Sequence, residues 1–192
     1  MVTLENNRVL LRPITSADYE YLLPYALHEP HLWQYSLICP RGAAGMRTYI
    51  DEAVAATVAG IEQVFVVYDK ATEQYVGSTR FYGINAAHRS ALIGYTWYGS
   101  AFHRTGINRH CKLLLLTYAF EVWELARVEF RADTRNARSI AAMQAIGCTV
   151  EGVLRSDRLR ENSTARSSSI VLSILREEWF GGVKEALQQK TQ

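Results

Sequence analysis

The stretch Phe102-His103-Arg104-Thr105-Gly106-Ile107-Asn108-Arg109-His110, running on into Cys111-Lys112-Leu113-Leu114-Leu115-Leu116-Thr117-Tyr118-Ala119-Phe120, decides how this sequence is read. Its second half is apolar nearly all round, which marks a helix buried on most of its surface. Just upstream, Ser90-Ala91-Leu92-Ile93-Gly94-Tyr95-Thr96-Trp97-Tyr98 is rich in β-branched and aromatic residues and ends at Gly99, as a strand does. The order is therefore strand, short glycine-bearing loop, buried helix. Arg104, Arg109, His110 and Lys112 crowd the positive end of that helix, and no acid follows until Glu121. Cations there oppose the helix dipole by about 0.3–1 kcal/mol each when exposed. The arrangement makes sense if an anion rests on the unpaired N–H groups at the helix start, with Gly106 allowing close approach. The competing reading is a solvated basic turn.

Working outward, Ala126 to Asp133 alternates Val128, Phe130 and Ala132 with Glu129, Arg131 and Asp133, a strand with one buried face. A strand–helix–strand unit of this kind makes a parallel pair. Upstream, Gln63–Tyr68 is an unbroken apolar strand, and Gln74–Ile84 pairs with it as an antiparallel hairpin across Asp69–Glu73. A first strand spans Arg8–Pro13. Two helices follow it, one capped by Ser16 and one from Gly45 to Ala59. Downstream, Asn136 caps a helix that Gly147 ends, Cys148–Arg155 and Ser169–Leu175 are strands, and residues 156–168 read as a flexible hairpin loop. A last helix begins near Glu177. The expectation is one α/β (α+β) domain over residues 1–192, with a mixed, mostly antiparallel sheet of about seven strands flanked by helices.

Bulk properties exclude several classes. Of 192 residues, 48% are apolar and 21% charged, with a net charge of +2, too small to suggest nucleic-acid binding. No apolar run reaches the roughly 18 residues a membrane helix needs, and the first twenty residues show no signal-peptide pattern. Cys39, Cys111 and Cys148 are too few and too scattered for a disulfide framework, which suits reduced thiols in the cytoplasm. His28 and His31 flank Pro30 with no third ligand near, so no metal site is expected.

The order of elements resembles the GNAT superfamily of N-acetyltransferases. His103-Arg104-Thr105-Gly106-Ile107-Asn108 is similar to its Q/R-x-x-G-x-G/A pyrophosphate loop. Asn136-Ala137-Arg138-Ser139, Gly147 and Glu151-Gly152-Val153-Leu154-Arg155 resemble the N-x-x-S…G-F…E-G-x-x-R run of the ribosomal-protein N-terminal acetyltransferase (RimJ/RimL-like) branch. So do the two ends, Arg8–Pro13 with Asp18 and Ser173–Trp179. Three positions depart from relatives: Asn108 stands where most members have glycine or alanine, Leu92 where many carry a glutamate, and Met143 where other branches keep a tyrosine acid.

The resemblance implies acetyl-CoA as cofactor and an amine as acceptor, either a protein N-terminus or a small primary amine, attacking the thioester directly. His103, Arg104, Thr105, Gly106, Ile107, Asn108 and Arg109 would hold the pyrophosphate; Thr96, Trp97 and Tyr98 would pair with the pantetheine arm, and Asn136 would bond it. Ser139 would donate to the leaving thiolate, with Tyr98 as a rival. Asp133, Glu129 and His103 are the candidate bases. Trp33, Tyr35, Arg80 and Tyr82 would line the amine cleft. A monomer or homodimer is expected, with no nucleic-acid or membrane partner. The other reading is a degenerate member that binds acyl-CoA as a sensor.

Overall fold

The computed structural model describes residues 2–36, 38–160 and 164–192. Eight strands form one sheet: β1 (Leu4–Glu5), β2 (Val9–Pro13), β3 (Gln63–Asp69), β4 (Gln74–Asn85), β5 (Ser90–Tyr98), β6 (Arg127–Asp133), β7 (Thr149–Leu159) and β8 (Arg166–Leu175). Their order is β1-β2-β3-β4-β5-β6-β8-β7. Among the described residues the β5–β6 pairing is parallel and the rest are antiparallel. The extra strand relative to the sequence expectation is the two-residue β1, too short to announce itself by periodicity. The expected loop at 156–168 is largely strand, because β7 and β8 stay paired out to Leu159 and Arg166. Residues 161–163 of that segment lie outside the described residues.

The sheet separates two cores, and β3 shows why its sequence is apolar throughout. Phe65 and Val67 face one core, Val64 and Val66 the other. The first core lies under α3 (Ile107–Thr117), which buries Ile107, Cys111, Leu115 and Leu116 at helical spacing, with Met143 of α4 (Ala137–Ala145) beside it. Full burial of each such aliphatic side chain contributes about 1.5–3 kcal/mol. The second core packs α1 (Tyr19–His28) and α2 (Gly42–Val58) against the other face through Leu22, Ala26, Met46, Ile50 and Ala53. Entry into α1 differs from expectation. Thr15, not Ser16, caps the first turn, because fully buried Asp18 accepts the Thr15 main-chain N–H at 2.7 Å and two bonds from Arg12 at 2.9 and 2.5 Å.

Two features of β5 position everything that follows. It pairs with β6 only through Ser90–Leu92 against Arg127–Glu129; beyond that point the strands part, while β6 stays paired with β8 to Asp133. On its other edge, the register jumps from Ser78↔Trp97 to Arg80↔Gly94, so Tyr95 and Thr96 together oppose Thr79 in a bulge. Tyr95 there sits at φ 49°, in the left-handed region. Gly77 makes the approach possible, since a β-carbon on it would stand 2.0 Å from the Trp97 carbonyl oxygen. Gly77→Ala must therefore push β4 off β5, and we expect a loss of about 1–3 kcal/mol, read as a lower urea midpoint with an unchanged slope. A variant as stable as the parent would contradict that register.

Candidate functional site

The loop after β5 leads into α3, and its backbone is built to present N–H groups. Arg104 and Gly106 both adopt positive φ, at 65° and 89°. None of the main-chain N–H groups of residues 104–108 has a partner among the described residues. Five successive free donors at a helix start are the arrangement that suits an anion. Thr105 Oγ1 donates to the Phe102 carbonyl at 2.7 Å and ties the loop down. Arg104 and Arg109 are exposed beside it.

The other two cations of this stretch are elsewhere, a correction to the crowding expected at the helix start. His110 turns towards the N-terminal strands, 3.3 Å from Asn6 Nδ2, and burial first, then Arg8, lowers its pKa. Lys112 points into the sheet and is 4% exposed. Its Nζ donates to Thr96 Oγ1 at 2.9 Å and to Thr79 Oγ1 at 3.4 Å, and the Phe130 ring of β6 lies 5.9 Å away. Thr79 and Thr96 also bond each other at 2.7 Å. Lys112 thus sits under the parting of β5 and β6, and burial pushes its pKa down to about 8. The sequence signal for it was a single lysine in a leucine run. Periodicity could place it on a buried stripe, but only the sheet register supplied the two hydroxyls.

His103 is fully engaged. Arginine only donates and a carbonyl only accepts, so Arg138 at 3.0 Å fixes His103 Nδ1 as acceptor and the Tyr98 carbonyl at 2.9 Å fixes Nε2 as donor. The imidazole is neutral, and burial, then Arg138, lowers its pKa. Tyr98 is buried, with its hydroxyl 3.4 Å from Asn108 Oδ1, and burial holds its pKa well above the usual value. Asn136 Oδ1 accepts the Ser139 N–H at 3.1 Å, capping α4 and leaving the Asn136 amide N–H groups for another acceptor. The Ser139 hydroxyl has no partner among the described residues. Asp133 accepts two guanidinium bonds from Arg135 at 2.8 and 2.6 Å and the Arg135 main-chain N–H at 2.9 Å, which lowers its pKa. Glu129 is paired with Arg127 and Arg131 at 2.8 and 2.6 Å.

The residues expected to line an amine cleft divide into two groups. Trp33 packs edge-on against Trp97 of β5 at 5.0 Å, and Tyr35 lies with its ring 5.5 Å from the Arg135 guanidinium carbon. Arg80 and Tyr82 are instead behind the bulge. Arg80, 4% exposed, is clamped between the Tyr49 and Tyr95 rings and paired with Glu62 at 2.7 Å, while Tyr82 packs on Tyr95 at 5.0 Å. Tyr49 accepts the Trp97 indole N–H at 3.2 Å and donates to Ser78 at 3.1 Å. Sequence reasoning passed over Tyr49 and Glu62, because neither carries a motif and both reach the bulge only through packing.

A family model described as acetyltransferase (GNAT) domain matches residues 8–149. The chain is 35% identical over 105 residues to YdaF of Bacillus subtilis, named a ribosomal N-acetyltransferase, over 55% of this chain and 56% of that protein; it thus spans about half of that relative's length. Among solved structures, a GCN5-related N-acetyltransferase from Brucella melitensis superposes with a TM-score of 0.88 at 22% identity, over 98% of this chain and 84% of the other. The microcin C7 self-immunity acetyltransferase MccE, solved with acetyl-CoA and AMP, superposes with a TM-score of 0.79 at 18% identity, over 88% and 93%. These two structural likenesses carry the fold alone.

The buried lysine has a consequence for stability. Its pKa falls from 10.5 in the unfolded chain to about 8 in the folded one. Between those values the unfolded chain holds a proton that the folded one has lost, so this group makes stability rise with pH. Lys112→Met should remove that rise, making the variant's stability relative to the parent greater at pH 7 than at pH 10, on the order of 3 kcal/mol at most. Chemical denaturation at both pH values reads it directly; an equal difference at the two would show that Lys112 titrates normally.

Proposed function

The chain belongs to the GNAT acetyltransferase family, whose members use acetyl-CoA, and on that premise we propose that it transfers an acetyl group from acetyl-CoA to a primary amine, a protein N-terminus or a small molecule. The observation that carries this reading is the parting of β5 from β6 with five free N–H groups at its open end. An amide concavity flanked by Arg104 and Arg109 suits a diphosphate. The open edge of β5 at 93–98 offers unpaired main-chain groups to a strand-like amide chain such as pantetheine. When bound, acetyl-CoA supplies the activated acyl group; the protein supplies alignment and donors.

In this reading the free amide of Asn136 holds the pantetheine arm and the unpartnered Ser139 hydroxyl donates to the departing thiolate. Tyr98 is the weaker donor, since its hydroxyl is turned to Asn108. Asp133, Glu129 and His103 are all committed to arginines or a carbonyl, which leaves none free to take a proton from an ammonium. The amine therefore loses its proton to water before attack. The same reading takes residues 1–192 as one domain working in the cytoplasm; no helix among the described residues is long and apolar enough to cross a membrane.

Thermal unfolding with acetyl-CoA, CoA and ATP tests the reading. A ligand that binds only the native state adds about 2.7 kcal/mol at a hundredfold excess over its Kd, so acetyl-CoA and CoA should raise Tm and ATP should not. Gly106→Val forces a β-branched residue to φ 89° and should abolish the CoA response. Ser139→Ala should lower kcat several-fold with CoA affinity unchanged. Absence of any CoA response in the parent would sink the enzyme reading; a CoA response without thiol release across an amine panel would favour the sensor.

A further inference from the structure

A cavity of about 460 Å³ opens at the parted end of β5 and β6. Trp33, packed against Trp97, forms its β5 side, and Asp133, the last residue of β6, its other side; Arg41, Arg135, Arg158 and Arg160 also line it. That volume is in the range of small-molecule sites and takes the first few residues of a peptide as readily as a small amine.

Its chemistry is one-sided. Four arginines line it against a single carboxylate, and that carboxylate is already saturated by Arg135. Arg158 reaches Asp157 through Nε at 3.3 Å, and its outer guanidinium nitrogens have no hydrogen-bond partner among the described residues. The Arg160 guanidinium has no hydrogen-bond partner among the described residues. The guanidinium donors that line the cavity call for oxygen anions.

We propose that this cavity is the acceptor subsite and that it selects amines with carboxylates close by, whether the N-terminus of an acidic peptide or a free amino dicarboxylate. The proposal rests on the acetyltransferase reading for its chemistry, but not for the binding itself. Carboxylates held by Arg158 and Arg160 would bring the amine to the mouth of the parted strands. A polyamine or a basic N-terminus would meet like charge there.

The test uses the full-length protein and peptides that differ only after the first residue, Ser-Asp-Glu, Ser-Ala-Ala and Ser-Lys-Lys, with free glutamate and spermidine as small-molecule arms. Thiol release from acetyl-CoA and binding of C-terminally labelled peptides in saturating CoA are measured side by side. We expect kcat/KM for the acidic peptide at least tenfold above the basic one, a gap that closes to within about threefold in Arg158→Gln/Arg160→Gln and narrows between 50 and 500 mM salt as screening grows. Those two positions are at and just beyond the end of β7, and circular dichroism is used to check that the variant folds. Glutamate outperforming the peptide would assign the site to the free amino acid. Basic acceptors equal to or better than acidic ones, or a preference untouched by the double variant, would overturn the proposal. Acidic-peptide binding that depends on both arginines but without turnover would keep the subsite and remove the enzyme reading; no acidic-peptide binding at all would remove the subsite.

Discussion

The candidate site of this protein depends on a sheet that stops pairing in its middle. Strands β5 and β6 run parallel for three residues and then separate, although each continues for four to six residues more. Main-chain N–H and C=O groups left unpaired inside a protein are costly, and structures ordinarily avoid them. Here the cost is contained on each side. β6 finds its partner in β8 along its whole length, and β5 keeps β4 on its far edge. What remains open is a single slot with backbone donors and acceptors along β5, and a helix start at its end.

The bulge at Tyr95 and Thr96 is pinned from both faces by buried cations. On the α1–α2 side, Arg80 is held by Glu62 and two tyrosine rings; on the α3 side, Lys112 is held by Thr79 and Thr96. A buried charge is tolerated only when paired or hydrogen-bonded, so each cation demands its partners in place. The bulge cannot relax without stranding both. That coupling explains how a residue at φ 49° persists in the strand that borders the slot.

Much of this was legible along the chain. The alternation in β6, the unbroken apolar β3, and the glycine-bearing loop between β5 and α3 are local patterns, and local patterns survive into the fold. The β7–β8 hairpin was read too short because its outer residues are polar. Pairing in an antiparallel ladder is made by the backbone and does not require an apolar side chain. The cap of the turn that leads into α1 moved by a residue, from Ser16 to Thr15, because Asp18 answers to Arg12 on β2 as well as to its own turn.

By itself, the sequence determined the order of the elements, the loop with its left-handed glycine ahead of α3, and the Asn136 cap with Ser139 beside it, since each depends on neighbours within a few residues. Tertiary structure alone decided which charges share a site. Four basic residues within nine positions divided into two exposed arginines at the loop, a histidine turned to the first strands and a lysine sealed under the sheet. Arg80 was drawn behind the bulge, while Arg135, Arg158 and Arg160 came together with Trp33 around a cavity. A side chain's charge is written in the sequence. Its surroundings are set by strand register and by which helix covers which face, and these join residues a hundred positions apart.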